Sequence, residues 1–201
     1  MRRVVFALIP VLIRVTGLVA AAAVVDFDDL VPGTRYYTGD TFESSGVPIT
    51  VQSFQWSNGT WFSGGSATVQ QGSFGFGSSN TMFMGNVNLS FGFGSVPGLS
   101  LAYGEYGGNL NVSVNGDFRN FENFRDINGS RIGGALVSVT TAPVHGGYSG
   151  ILVFDGTITS FSVGGQEFRI DDVTPVPEPG GLAALCSGLI GLAVFACRKA
   201  P

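Results

Sequence analysis

The chain has 201 residues, room for one domain with appendages but not for two. From residue 24 to 177 thirteen carboxylates stand against five arginines, a net charge of −8, and no run of Lys or Arg interrupts it. Such a surface repels phosphate backbones, so nucleic acid is excluded as a partner.

Met1 to Ala23 begins with Arg2 and Arg3, continues through an apolar stretch and ends in "VAAAAVV", whose alanines suit signal peptidase. Residues 1–23 are therefore expected to form a signal helix that is removed on export. Pro10 and Arg14 interrupt it, leaving Val15 to Ala23 as its uninterrupted apolar part.

Residues 24–174 show no helical period. Short alternating runs follow one another, separated by Gly, Asn, Asp and Ser, which is the pattern of half-buried strands. In "NVNLSFGF" Val87, Leu89, Phe91 and Phe93 oppose Asn86, Asn88, Ser90 and Gly92. In "NLNVSVNG" Leu110, Val112 and Val114 oppose Asn109, Asn111, Ser113 and Asn115. Further strands are expected at 24–30, 47–56, 60–70, 80–84, 99–104, 132–140, 150–155, 157–163 and 167–173. "VNGD", "FDGT" and "VGGQ" offer the residues of tight hairpins. The expected fold is all-β, a two-sheet sandwich of the jelly-roll kind. Both cysteines, Cys186 and Cys197, fall outside it, so the sandwich has no disulfide.

Residues 175–201 form a third part. Pro177, Glu178 and Pro179 lead into Gly180 to Cys197, eighteen residues without a charge, and Arg198 and Lys199 follow at once. At 1.5 Å per residue such a helix covers most of a bilayer core of about 30 Å. Basic residues stay on the cytoplasmic side, which places the sandwich outside the cytoplasmic membrane. The two prolines hold an extended segment beside the bilayer, where Glu178 is open to recognition by another protein.

Signals of catalysis are poor. His145 is the one histidine and stands in a Gly-rich turn; no G-x-S-x-G, zinc-ligand spacing or phosphate loop occurs. No enzymatic activity is expected, although a pair of carboxylates acting on glycans is not legible from spacing. Asp26 and Asp28 at the start of the sandwich, with Asp171 and Asp172 at its end, are candidate ligands for a structural calcium if the two ends are neighbours. Solvated turn aspartates are the plainer alternative. Trp56 and Trp61, with Tyr36, Tyr37, Tyr103 and Tyr106, are candidates for stacking on sugar rings, against the alternative of packing roles.

The Pro177-Glu178-Pro179 motif, the apolar segment and the basic end, in that order, resemble the PEP-CTERM sorting signal of exported bacterial proteins. The resemblance covers about the last 26 residues. It implies an exosortase as partner, cleavage near the motif, passage from a membrane-anchored precursor to the cell surface or medium of a Gram-negative-type bacterium, and association with exopolysaccharide. More loosely, "VDFDDL", "GDTF" and "GTITSFSVGGQEFRIDDVT" resemble carbohydrate-binding or galactose-binding-like jelly rolls. These expectations converge on a structural or adhesive surface protein, with a secreted carbohydrate-binding module as the alternative.

Overall fold

Alternation along the chain becomes two faces in the folded molecule. Leu110, Val112 and Val114 are all buried, and the residues between them, Asn111 and Ser113, turn to the opposite side. The computed structural model describes residues 24–72 and 79–176. The expected signal segment 1–23 and the sorting residues Pro177, Glu178, Pro179, Arg198 and Lys199 lie outside them.

The strands in chain order are β1 (Arg35–Tyr37), β2 (Thr41–Ser44), β3 (Val47–Gln55), β4 (Trp61–Phe62) and β5 (Ser66–Gln71). Then come β6 (Asn80–Gly85), β7 (Val87–Phe91), β8 (Val96–Glu105), β9 (Leu110–Val114) and β10 (Asp117–Phe121). After a 3-10 turn (Phe124–Ile127) follow β11 (Arg131–Ile132), β12 (Ala135–Val144), β13 (Gly147–Ile158), β14 (Phe161–Gly165) and β15 (Phe168–Pro175).

They form two antiparallel sheets facing each other as a sandwich. One has the order β1-β5-β6-β15-β8-β13-β12-β11; the other runs β10-β9-β14-β7-β3-β2, with β4 paired to β3 alone. Phe154 of the first sheet meets Phe161 of the second edge-on at 5.3 Å, and Phe161 meets Phe91 at 5.9 Å. Phe124, on the 3-10 turn, packs between Tyr103 and Phe168 at 4.7 and 5.3 Å. Each buried ring contributes about 1.5–3 kcal/mol of transfer free energy, which is how the sandwich holds without a disulfide. Among the described residues no helix is long and apolar enough to cross a membrane.

The structure adds strands that were not expected, β1, β2 and β10, divides the expected run 132–140 between β11 and β12, and departs from the expected elements in further places. Residues 24–30 make one bridge, Val25 to Val173, and then turn, with Phe27 at φ 58°. The aspartates explain this, because side-chain acceptors such as Asp26 Oδ1, which takes the Asp28 N–H at 3.2 Å, compete with a strand ladder. The run 60–70 is divided between β4 and β5, which serve different partners. "VNGD" is a two-residue hairpin turn, with Asn115 and Gly116 at φ 52° and 82°. "FDGT" instead lies inside β13 at a register shift, and "VGGQ" carries the chain from β14 in one sheet to β15 in the other.

Candidate functional site

Register places one residue type in a line across the outer face of the second sheet. Phe118, Ser113, Ser162, Ser90, Thr50 and Thr41 are successive partners from β10 to β2. Five of them carry hydroxyls, one on each strand, at intervals of about 4.8 Å. Two residues further along, Asn120, Asn111, Gly164, Asn88 and Gln52 make a parallel row of amides, with a glycine in its centre. A Cβ at Gly164 would fall onto the Val87 carbonyl oxygen and Asn88 Oδ1, so only glycine fits between the flanking asparagines.

The amide row is roofed by the chain itself. Pairing of β3 with β7 ends at Ser53, and the next residues, Phe54 and Gln55, pair with β4 instead. The Gln55 carbonyl accepts hydrogen bonds from Asn111 Nδ2 at 3.0 Å and Asn120 Nδ2 at 2.8 Å. Those asparagines belong to β9 and β10, three and four places beyond β3 in the sheet. The end of β3 must therefore leave the sheet plane and cross over its outer face. Asn88 Nδ2 donates to the Ser53 carbonyl at 2.7 Å, at the point of departure. Phe54, fully buried, packs edge-on against Trp56 at 5.3 Å, and Trp56 meets Phe62 at 6.0 Å. Trp61 takes another course: it is 55% exposed and leans on Phe118 at 5.5 Å.

Between roof and hydroxyl row lies a groove of about 600 Å³. Its floor is Ser113, Ser162 and Asn88, Trp61 and Phe118 form a wall, and Thr38 with Gln52 borders the other end. None of the residues lining it is charged. Asn88 is only 3% exposed, and with its Nδ2 given to Ser53 its Oδ1 has no hydrogen-bond partner among the described residues. Thr38 Oγ1, at the other end, is buried in the same condition. Both oxygens are closed off from solvent, so the hydroxyls of Ser113 and Ser162, half-buried on the floor, are the polar groups the groove offers to a ligand. A ligand that brings hydroxyls together with an apolar face matches this lining.

The candidate calcium residues are brought to one corner by the Val25–Val173 bridge. Asp172 sits there at φ 50° with its carboxyl pKa raised above the ordinary value, first by burial and then by the charges of Asp26 and Asp28. Asp171 is fully buried, and its Oδ1 accepts the Asp172 N–H at 2.8 Å. Much of the remaining oxygen capacity is committed. Asp28 Oδ1 takes Ser79 Oγ at 2.6 Å and the Asn80 N–H at 2.8 Å, which ties this segment to the start of β6. Asp29, the neighbour of Asp28, accepts from Ser44 Oγ and the Ser45 N–H at 2.7 and 2.8 Å and so holds the β2–β3 turn. Among the described residues no group of three or more His, Cys, Asp or Glu is arranged to hold a metal ion.

The aromatic candidates separate in the same way. Tyr103 is core, Tyr36 stacks on Phe42 at 3.9 Å, and Trp56 is part of the roof; Trp61 alone of the two tryptophans borders the groove. His145 is exposed in the β12–β13 turn. Sequence reasoning missed the polar floor, whose signal is the repeated Asn-x-Ser of "NLS" at 88–90 and "NVS" at 111–113 on two strands. No protein-family model, curated protein or solved structure matches this chain.

Proposed function

We propose that the protein is exported by its segment 1–23, held for a time by an apolar helix over 180–197, processed by an exosortase at Pro177-Glu178-Pro179, and displayed as an adhesive, glycan-holding sandwich on the cell surface or in its exopolysaccharide matrix. The observation that carries the glycan part is the uncharged groove with a hydroxyl and amide floor beside an exposed tryptophan. Sugars present both kinds of surface at once, hydroxyls at the ring edge and C–H groups on its face. A jelly-roll reading of the sandwich draws support from the chain's passage between sheets at β6–β7, β7–β8, β8–β9, β13–β14 and β14–β15.

Binding rather than turnover is the role that suits the groove, because no carboxylate lines it and glycoside hydrolysis ordinarily needs two. A calcium ion at the corner of Asp26, Asp28 and Asp172 is a separate proposal, motivated by the Val25–Val173 bridge that brings the two ends of the sandwich together. The glycan reading is tested by applying the fluorescently labelled full-length protein in mild detergent to an array of bacterial and plant polysaccharides. Retention on a subset of glycans is the expected result. Uniform absence of retention removes the glycan-binding role.

A further inference from the structure

We infer that the groove takes an extended segment of an electrically neutral polysaccharide, laid across the strands with one sugar ring stacked on Trp61 and sugar hydroxyls hydrogen-bonded to Ser113 and Ser162 on the floor. This rests on the glycan-binding reading above and narrows it to a ligand class and a pose.

Length comes from the topology. The groove reaches from Phe118 on β10, over β9, β14 and β7, to Gln52 on β3 and the neighbouring Thr38. Four strand spacings make about 19 Å, which suits an oligosaccharide stretch better than a single sugar.

Neutrality comes from the lining and its surroundings. A uronate or sulfated chain would bring anions to a groove with no cation in its lining. Arg119, one residue beyond Phe118, has its Nε 2.9 Å from Asp117 Oδ1 and is already engaged. The net charge of −8 over residues 24–177 adds long-range repulsion.

The lining also disfavours the other uncharged occupants. A peptide adding itself as a strand needs free backbone donors and acceptors, but β9, β14 and β7 are each paired on both sides. A wholly apolar ligand would cover the hydroxyls of Ser113 and Ser162 without compensation. A sugar hydroxyl can donate to one of Ser162 and Ser113 while accepting from the other, since serine hydroxyls serve as either partner. Trp61 offers its exposed ring, and Phe118 packs against it at 5.5 Å in the same wall.

The experiment is affinity electrophoresis of the full-length protein in mild detergent. Native gels contain soluble β-glucan or galactomannan as neutral probes, and polygalacturonate or heparin as acidic ones. Wild type, Trp61→Ala, Trp61→Phe and Ser162→Ala are compared, each with a melting curve to establish folding. The expected result is retardation by a neutral probe and by neither acidic one. Trp61→Ala should weaken it about tenfold, Trp61→Phe should restore most of it, and Ser162→Ala should weaken it about threefold. Retardation by the acidic probes alone overturns the neutral class but leaves glycan binding standing. Retardation by a neutral probe that a folded Trp61→Ala variant retains in full overturns the pose. Failure of all four probes overturns the neutral-polysaccharide inference, and failure of probes and array together overturns the glycan-binding reading as well.

Discussion

Asp172 and Glu105 are two carboxyls held above their ordinary pKa, in both cases first by burial. The charges of Asp26 and Asp28 add to the effect at Asp172, and the Glu105 carboxylate accepts the Phe124 N–H at 3.0 Å. A raised carboxyl pKa means that the folded chain holds protons which the unfolded chain has released. Each group therefore costs nothing below the ordinary carboxylate range, near pH 4, and its penalty grows as pH rises through the raised value. Asp172→Asn removes one such penalty, and asparagine accepts the left-handed backbone at this position without added strain. The variant should melt higher than wild type at pH 7 and equally at pH 3, measured by circular dichroism. A calcium ion at this corner would act through the same carboxylate. Millimolar calcium against chelator should then raise the melting temperature of wild type by linkage and leave Asp172→Asn unmoved. Coincident wild-type curves remove the ion.

At the scale of elements, the roof depends on side chains of the sheet it covers. Both Asn111 and Asn120 donate to the Gln55 carbonyl, so either alone can satisfy it. Asn120→Ala should cost about 1 kcal/mol, and Asn111→Ala together with Asn120→Ala about 2–3 kcal/mol, because the second change leaves a covered carbonyl without a donor. The double variant should also free Trp61 from Phe118, read as stronger acrylamide quenching of tryptophan fluorescence. Equal quenching in wild type and double variant would mean that the aromatic contacts hold the roof unaided. The last strand has a consequence for processing. β15 ends at Pro175, the Val176 N–H still donates to the Gly98 carbonyl at 2.9 Å, and Pro177 follows directly. An exosortase that spares the sandwich must cut at or beyond residue 177. Mass spectrometry of the mature C-terminus should find the cut there, and Glu178→Ala should accumulate the full-length precursor in the membrane with its sandwich folded. An intact "RKAP" end on wild-type protein at the cell surface removes the sorting proposal.

For the whole molecule, the central position of β15 makes folding wait for the end of the chain. It lies between β6 and β8, so the eight-stranded sheet is divided until residues 168–175 arrive. A chain ending at residue 166 should show no cooperative unfolding and bind hydrophobic dyes, whereas one ending at 176 should melt in a single transition. Equal cooperativity in the two would mean that the second sheet folds by itself. Pairing so remote in sequence also places refolding in the millisecond-to-second range of non-local β proteins.

Alternation of apolar and polar residues, as in "NVNLSF" and "NLNVSV", sufficed by itself to determine an all-β chain and which side chains form the core, because a strand's period of two is a local property. Asn115-Gly116 likewise determined its own turn, since both residues accept positive φ and the flanking strands are adjacent. The glycines of "FDGT" and "VGGQ" look the same in sequence, but their conformation is set by strands to which they are not adjacent in the chain. The candidate site was legible only in part: Trp61 stood among the named aromatics, but nothing separated it from the packed Trp56. Tertiary structure alone decided that Ser113, Ser162, Ser90 and Thr50 share a line, since register is a property of strand pairs. It also decided that β3 bends at Ser53 to roof that line, because the donors that hold the bend, Asn111 and Asn120, lie more than fifty residues away and reach Gln55 only once the sheet is complete.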